Sequence, residues 1–459
     1  MQRTQLVAAL LVGAVISHPR NGSAQIIQDS LSPYSTAIGY DTLKADTTGI
    51  ANTALGDQAL RDNTSGGYNT ASGYGALQAN TQGSWNTATG FGALSSNACV
   101  GNNCGAFNTA IGGMALASNT TGALNTAIGG YALSSNIWGT YNTASGWGAL
   151  NTNTSGNNNT ASGFDALLAN TTGYSNTASG GYALFSNSSG FINTAIGYQA
   201  LYSNSCVSGV CGAGNTASGY QALYSNTIGT GNAATGWGAL LANTTGINNT
   251  ATGWDALAAN TTGNNNTAIG SEANVASGNL TNATAIGAGA IATASNQIQL
   301  GNSAVTVVQG PVAYTFTSDR NKKENFLPVD GEQVLKKIGG LNLTSWNYID
   351  QDSQRFRHYG PMAQEFYAAF GHDAMGTVGT ATTINSGDLD GILLSAVQAL
   401  DTRSEALNTE TAEVAQAQQE QLGTQARQLA DQQSTIADLQ ARLARLESLL
   451  GDAVAAGGR

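Results

Sequence analysis

Ser318 and Lys323 stand five residues apart in the string Ser318-Asp319-Arg320-Asn321-Lys322-Lys323-Glu324-Asn325. A hydroxyl beside an amine can carry acyl chemistry: a desolvated, neutral lysine takes the serine proton and the serine oxygen attacks a carbonyl carbon. Taken alone, the string reads more simply as a solvated charged loop. Downstream, the phrase Arg357-His358-Tyr359-Gly360-Pro361-Met362-Ala363-Gln364-Glu365-Phe366 gathers an imidazole, an amide and a carboxylate into a short span. Four cysteines are the remaining reactive side chains, arranged as two copies of C-x-x-x-x-C: Cys99 with Cys104, and Cys206 with Cys211. The two pairs lie six repeats apart, about 29 Å at about 4.8 Å per stacked strand, too far for one metal held through bonds of about 2.3 Å. Two local disulfides in an oxidising compartment are expected, with reduced pairs as the alternative. No metal and no cofactor is expected.

The elements that must position these groups begin with a repeat. A phrase N-T-A-x-G-x-x-A-L recurs from residue 35 to about residue 290, with its threonine slot at Thr36, Thr53, Thr70 and onward to Thr284, fifteen times in all. Twelve of the steps are 17 residues and two are 22; the longer copies carry the cysteines. A fixed short period means one structural unit stacked on itself. Each unit reads as two short extended pieces, Thr-Ala-x and x-x-Ala-Leu, joined at corners where Asn and Gly tolerate positive φ. Strands pairing with the same strands of the next coil give parallel sheets, and fifteen coils stack to about 70 Å. The buried face is small, Ala and Ala-Leu, so each coil needs neighbours along the axis, and partner chains around it are a second expectation.

One column is aromatic in nine copies, among them Tyr74, Phe91, Tyr198, Tyr220, Trp237 and Trp254. It could be a sugar-stacking platform; a ladder of like side chains follows from any repeat and is the simpler reading. The threonine column invites comparison with an ice-binding face, but threonine beside asparagine is expected to be a hydrogen-bonding turn residue.

Charge excludes other classes. Only 9% of residues are charged, against about 25% in ordinary soluble domains. Residues 25–310 hold two basic residues, Lys44 and Arg61, and eight acidic ones. Nucleic acid and anionic lipid both demand basic patches, so neither is an expected partner. At the start, Arg3, the apolar run Leu6 to Ile16 and the small residues Gly22-Ser23-Ala24 read as an export signal cut near Ala24. The apolar run is too short to span a bilayer, and no transmembrane segment is expected after its removal. The chain is expected to be secreted or held at the cell surface.

After residue 317 the composition changes. Val334, Leu335 and Ile338 fall at helical spacing, and Leu343 to Tyr348 alternates like a strand. Leu393, Leu400, Leu407 and Val414 step by seven; after a one-residue shift Leu422, Leu429, Ile436, Leu443 and Leu450 do so again. Gln425, Gln432, Leu439 and Leu446 occupy the second seam. Sustained heptads predict a parallel coiled coil, with a single amphipathic helix as the alternative.

Two resemblances follow from these residues. The N-T-A-I-G phrase is similar to the head repeats of trimeric autotransporter adhesins, which implies a parallel β-roll in which three chains pack side by side. Those heads usually have a shorter repeat, and the closing Ala-Ala-Gly-Gly-Arg offers no barrel strands, so their outer-membrane anchor is not expected here. Residues 318 to about 400 resemble the endosialidase-type intramolecular chaperone of phage tail spikes and fibres: S-D-R-N-x-K-E-N, a Trp/Tyr strand, H-x-G-x-x-A-Q-E and a Leu-rich helix stand in the family's order. The resemblance implies a domain that trimerises the preceding fibre and then cuts itself off. It implies Ser318 as nucleophile, Lys323 as base and Thr317–Ser318 as the scissile bond. Asp319, His358, Gly360, Gln364 and Glu365 become supporting residues, His358 as polar support and Gly360 for backbone geometry. Lys322 stands where the family usually has an apolar residue, and Ile384 to Leu389 replaces its usual Val-Asp-Tyr phrase.

The expected organisation is a signal peptide (1–24), a linker (25–34), a mainly β roll or solenoid (35–297), a connector (298–317), a small α+β chaperone and auto-peptidase domain (318–400), a trimeric coiled coil (401–450) and a tail (451–459). The partner is the chain itself, as a homotrimer, with a surface glycan or other cell-surface ligand as the fibre's target. Any enzymatic activity is a single self-cleavage, with no turnover of an external substrate. The alternatives are a polysaccharide-binding or polysaccharide-degrading spike and an uncleaved monomeric solenoid.

Overall fold

The computed structural model describes residues 33–101, 103–305, 308, 318–349 and 351–456. The expected signal peptide, nearly all of the linker, most of the connector including Thr317, and the last three residues of the tail lie outside the described residues. The chain divides into two compact units, 1–305 and 306–459.

The first unit is a parallel solenoid of about sixteen coils. Its single large sheet has sixteen strands in an order that follows the chain, interrupted only where the hairpins and a short two-stranded sheet branch off. Most strands are the three residues Thr-Ala-x, and they pair in strict register, Thr160 with Thr177 and Ala161 with Ala178. The last strand, Ile298–Leu300, continues the sheet beyond the fifteenth threonine slot. Period-2 geometry sends Ala inward and its two neighbours outward; Ala144, Ala161 and Ala178 are fully buried.

The second extended piece expected in each coil is a strand only near the end of the stack, where Asn274–Val275 pairs in parallel with Ile291–Ala292; in the other coils it is not. From the glycine after each strand the chain runs through consecutive turns, Ala59 N–H to Gly56 O and Asn63 N–H to Leu60 O. The leucine itself is left-handed, with φ of 51° at Leu60 and 53° at Leu77. Apolar identity carries no hint of this, because tertiary demand sets it: Leu60 N–H bonds Ala76 O of the next coil at 3.0 Å while its side chain is fully buried.

Asparagine takes positive-φ corners in some coils, as at Asn158 and Asn248, but the asparagines of N-T-A and Asn-Thr-x-Gly fill the core instead. Two columns run the length of the stack. In one, Asn142 Nδ2 donates to Gly156 O at 2.8 Å, while its Oδ1 accepts from Asn159 N–H at 3.0 Å. In the other, Asn153 Nδ2 donates to Asn136 Oδ1 at 2.8 Å and to Gly156 O at 3.1 Å. Burying an amide is costly unless it is hydrogen-bonded, and here each coil satisfies the next. Gly156 serves both columns, and a Cβ there would collide with Asn153 and with the backbone of Gly173, which is why glycine follows Asn-Thr-x.

Each five-residue insertion leaves the stack unbroken. Cys99–Val100 and Asn103–Cys104 form a small antiparallel pair closed by a Cys99–Cys104 disulfide, and Cys206–Cys211 closes its counterpart. Gly105 then takes the corner position, accepting from both Asn86 and Asn97 as Gly156 does in its own coil.

The aromatic column is a ladder. Tyr198, Tyr220, Trp237 and Trp254 stack with centroids 5.5–5.8 Å apart and planes within 17° of parallel. Two further ladders are Tyr68–Trp85–Phe107 and Phe185–Tyr202–Tyr224. The turn threonines are a separate column, in which Thr154 Oγ donates to Thr171 O of the next coil at 3.0 Å. The strand threonines do not cap turns: among the described residues their hydroxyls make no hydrogen bond within the chain.

In the second unit, α1 (Gly331–Gly339) opens at an Asp330 cap whose carboxylate accepts from Gln333 N–H. Gly331 lets α1 approach α3 (Ser386–Ala456) closely, since a Cβ there would lie 2.7 Å from that of Ala399. A short antiparallel pair, Thr344–Trp346 with His358–Gly360, precedes α2 (Ala363–Phe370). Val334, Phe366, Phe370 and Ala396 form the small core. Beyond it α3 runs on with its apolar residues exposed, Leu407 at 61% and Leu429 at 57%.

Candidate functional site

The segment 318–323 folds back on itself. Asp319 caps a single 3-10 turn, Arg320–Lys322, by accepting from Asn321 N–H at 2.9 Å, and Lys323 N–H closes the turn onto Arg320 O. The return brings Lys323 Nζ to 2.7 Å from Ser318 Oγ. Lys323, and not the adjacent Lys322, makes this contact. Both partners are exposed. The Arg320 guanidinium sits 5.4 Å from the Phe326 ring and anchors the far side of the turn.

His358 lies elsewhere in the unit. Its ring stacks on Trp346 at 4.8 Å, meets Tyr348 edge-on at 5.6 Å, and its Nε2 is 3.0 Å from Gln351 Oε1. Among the described residues no hydrogen bond joins His358 to Ser318 or Lys323. Gly360 closes the strand pair opposite Thr344 with φ +154°, which side chains rarely adopt, and a Cβ there would meet only open space. Glu365 accepts from Asn342 N–H at 3.3 Å, tying the start of α2 to the loop before the strand pair. Gln364 is exposed on the first turn of α2.

Sequence reasoning missed Gln351, which is buried beside His358 and leaves its Nε2 without a partner, as is Trp346 Nε1. The strand alternation of Leu343 to Tyr348 was visible; the place of Gln351 beside His358 depends on the intervening loop and has no spacing signature.

An exposed serine–lysine contact at the head of a small α+β unit, behind a long parallel solenoid, is the layout of a fibre with a C-terminal accessory domain. The family model for the chaperone of endosialidase matches residues 318–374, beginning at Ser318 itself. Solenoid and chaperone region together fit a tail-fibre-like protein. No curated protein matches the chain. No helix among the described residues is long and apolar enough to cross a membrane.

Proposed function

We propose that the chain is a secreted, homotrimeric fibre or adhesin-like protein whose C-terminal unit aligns three copies and then severs itself between Thr317 and Ser318. The observation that carries this is the 2.7 Å contact of Lys323 Nζ with Ser318 Oγ at the first residue of the family match. In the cleavage, neutral Lys323 takes the proton from Ser318 Oγ. The oxygen attacks the carbonyl carbon of Thr317, the C–N bond to Ser318 breaks, and the proton passes from Lys323 to the departing amine. Water then hydrolyses the resulting ester, giving a Thr317 carboxylate and restoring the Ser318 hydroxyl on a new N-terminus.

The exposure of the pair orders the events. A lysine in water holds its proton, and burial favours the neutral amine. Neighbouring copies packed over the turn supply that burial, so assembly precedes cleavage. The exposed heptad positions of α3 supply the assembly: Leu400, Leu407, Leu422 and Leu429 are each more than half exposed and recur as a narrow seam. The two disulfides suit an oxidising, extracellular setting. The fibre's ligand is a cell-surface group such as a glycan. A polysaccharide-degrading spike is less favoured, because such hydrolysis uses two neighbouring carboxylates, whereas Asp165 and Asp255, which share one repeat slot, lie five rungs apart along the sheet.

Light scattering on the full chain carrying Ser318→Ala tests the assembly. Three chains per particle are expected; a single chain would contradict the proposal.

A further inference from the structure

The solenoid carries one flat, uncharged, unbroken side. It is the outward surface of the sixteen-stranded sheet, two columns wide: the strand threonines and the residues two places on. Every charged residue of the coils, from Asp41 to Glu272, lies in the turn segments and none in these columns. Both disulfide hairpins leave the coil away from the sheet, whose register passes them intact, Thr87 with Thr109 and Thr194 with Thr216. Among the described residues, the hydroxyls of the strand threonines make no hydrogen bond. At about 4.8 Å per rung and about 10 Å across, the surface offers about 750 Å², close to the roughly 800 Å² per partner of a stable protein interface.

The second column is not uniform. Apolar side chains come in doublets on adjacent rungs, Ile38 with Leu55, Ile111 with Ile128, and Ile269 with Ile286, the last extended by Leu300. Each of these isoleucines and leucines is about 40–50% exposed. Between the doublets the column holds Ser and Thr, relieved only by Ile196. The spacing is unequal: four steps along the sheet from Ile38 to Ile111, nine from Ile111 to Ile269.

We infer that this side is the surface along which parallel copies of the chain pack, and that the doublets set their register. The inference rests on the proposed self-assembling fibre and assigns it a face. Two copies in register place each doublet against its own counterpart. A slip of one rung sets an end of every doublet against a serine or threonine, burying a hydroxyl beside a methyl group. A longer slip of four rungs seats the first doublet on the second but sets Ile111 against Ser179 and Ile286 against Ser218, leaving only Ile128 with Ile196 and Ile196 with Ile269 as further matches, because four steps and nine do not coincide. A repeat that looks free to slide thus carries its own alignment marks, and the hydroxyl-rich rungs between them pair with their equals.

The chain has no free cysteine, so an introduced one reports alone. Full chains carrying Ser318→Ala together with Ser162→Cys, on the flat side, or Thr172→Cys, on an exposed corner, are oxidised and separated without reductant. Ser162→Cys chains are expected to join to one another and Thr172→Cys chains to remain single. When Ser145→Cys and Ser162→Cys chains are assembled together, like-to-like links are expected to exceed mixed links at least tenfold. Adding Ile111→Ser and Ile128→Ser is expected to erase most of that preference. If light scattering finds trimers while Ser162→Cys stays free, or while mixed links form as readily as like ones, the inference is overturned and the fibre stands. If the chain is a single copy in solution, both fall.

Discussion

Leu150, Ala144 and Asn142 in the solenoid have no exposed surface, whereas Leu407, Leu422 and Leu429 of α3 are 57–66% exposed. The two regions solve burial in opposite directions. A coil of the solenoid is covered by the coil above and the coil below, so the array satisfies its amides and its leucines along its own axis. Among the described residues of its own unit, α3 packs against the small core around Val334 and Phe366 and pairs Arg403 with Glu332, while its seam residues further on are exposed. The expectation that Ala-rich coils need partner chains to complete a core is therefore revised: the interior is complete with Ala, Leu and two asparagine columns. What the array lacks is not a core; in the proposed assembly the instruction about partners comes from α3 and the flat side of the sheet.

This contrast is sharpest at the asparagines. Asn142→Ala deletes the bond to Gly156 O and leaves Asn159 N–H buried without an acceptor. A loss of about 2–4 kcal/mol is expected, read as a lowered midpoint in thermal unfolding of the full chain followed by its β signal. The assembly state should not change. Leu429→Ala should do the reverse: association weakens by about 2 kcal/mol, seen as dissociation on dilution, while the solenoid melts where it did before. If Leu429→Ala lowers the solenoid's midpoint as much as Asn142→Ala does, the two regions are not independent in the way described.

Replacing both cysteines of the second hairpin, Cys206→Ser with Cys211→Ser, tests how far an insertion is decoupled from the stack. The loop closed is only five residues long, worth at most about 2 kcal/mol by loop entropy, and Gly212 still accepts from Asn193 and Asn204. Faster proteolysis within the hairpin is expected, with the solenoid's midpoint nearly unchanged. The smallest effect belongs to Asp255. Burial first, and then the neighbouring Glu272, hold its carboxyl above the ordinary carboxylate range, and one of its oxygens is buried without a partner. The folded chain therefore binds this proton more tightly than the unfolded chain. Stability is full below the ordinary carboxylate range and falls as pH rises through the raised value. Asp255→Asn should stabilise the chain slightly at neutral pH and leave it unchanged in acid, a difference read from unfolding midpoints at the two pH values.

Much of this was legible in the residues. A strict threonine period implied a parallel, in-register stack because no other arrangement returns the same residue to the same place. The cysteine spacing implied two local loops, and the hairpins bear that out. The order of motifs after Ser318 identified the chaperone region. The second piece of most coils was misjudged because Ala-Leu looks extended by composition, while Leu60 adopts the left-handed region to satisfy its neighbour in the next coil. The asparagines were misplaced for a related reason. Local preference assigns Asn to corners, and only the stack shows that an Asn column can bury itself by bonding to its own copies. At the candidate site, spacing brought Ser318 and Lys323 together, but the joining of His358 to Gln351 depends on a loop whose path no period encodes.

The central claim, that the chain assembles and then divides itself, is tested most directly by intact mass after expression, for the unaltered chain and for Ser318→Ala. Two fragments are expected from the unaltered chain, one ending at Thr317 and one beginning at Ser318, and a single undivided chain from Ser318→Ala. An undivided chain in both, in a preparation shown to be trimeric, would contradict self-cleavage, and fragments persisting in Ser318→Ala would remove Ser318 from the chemistry.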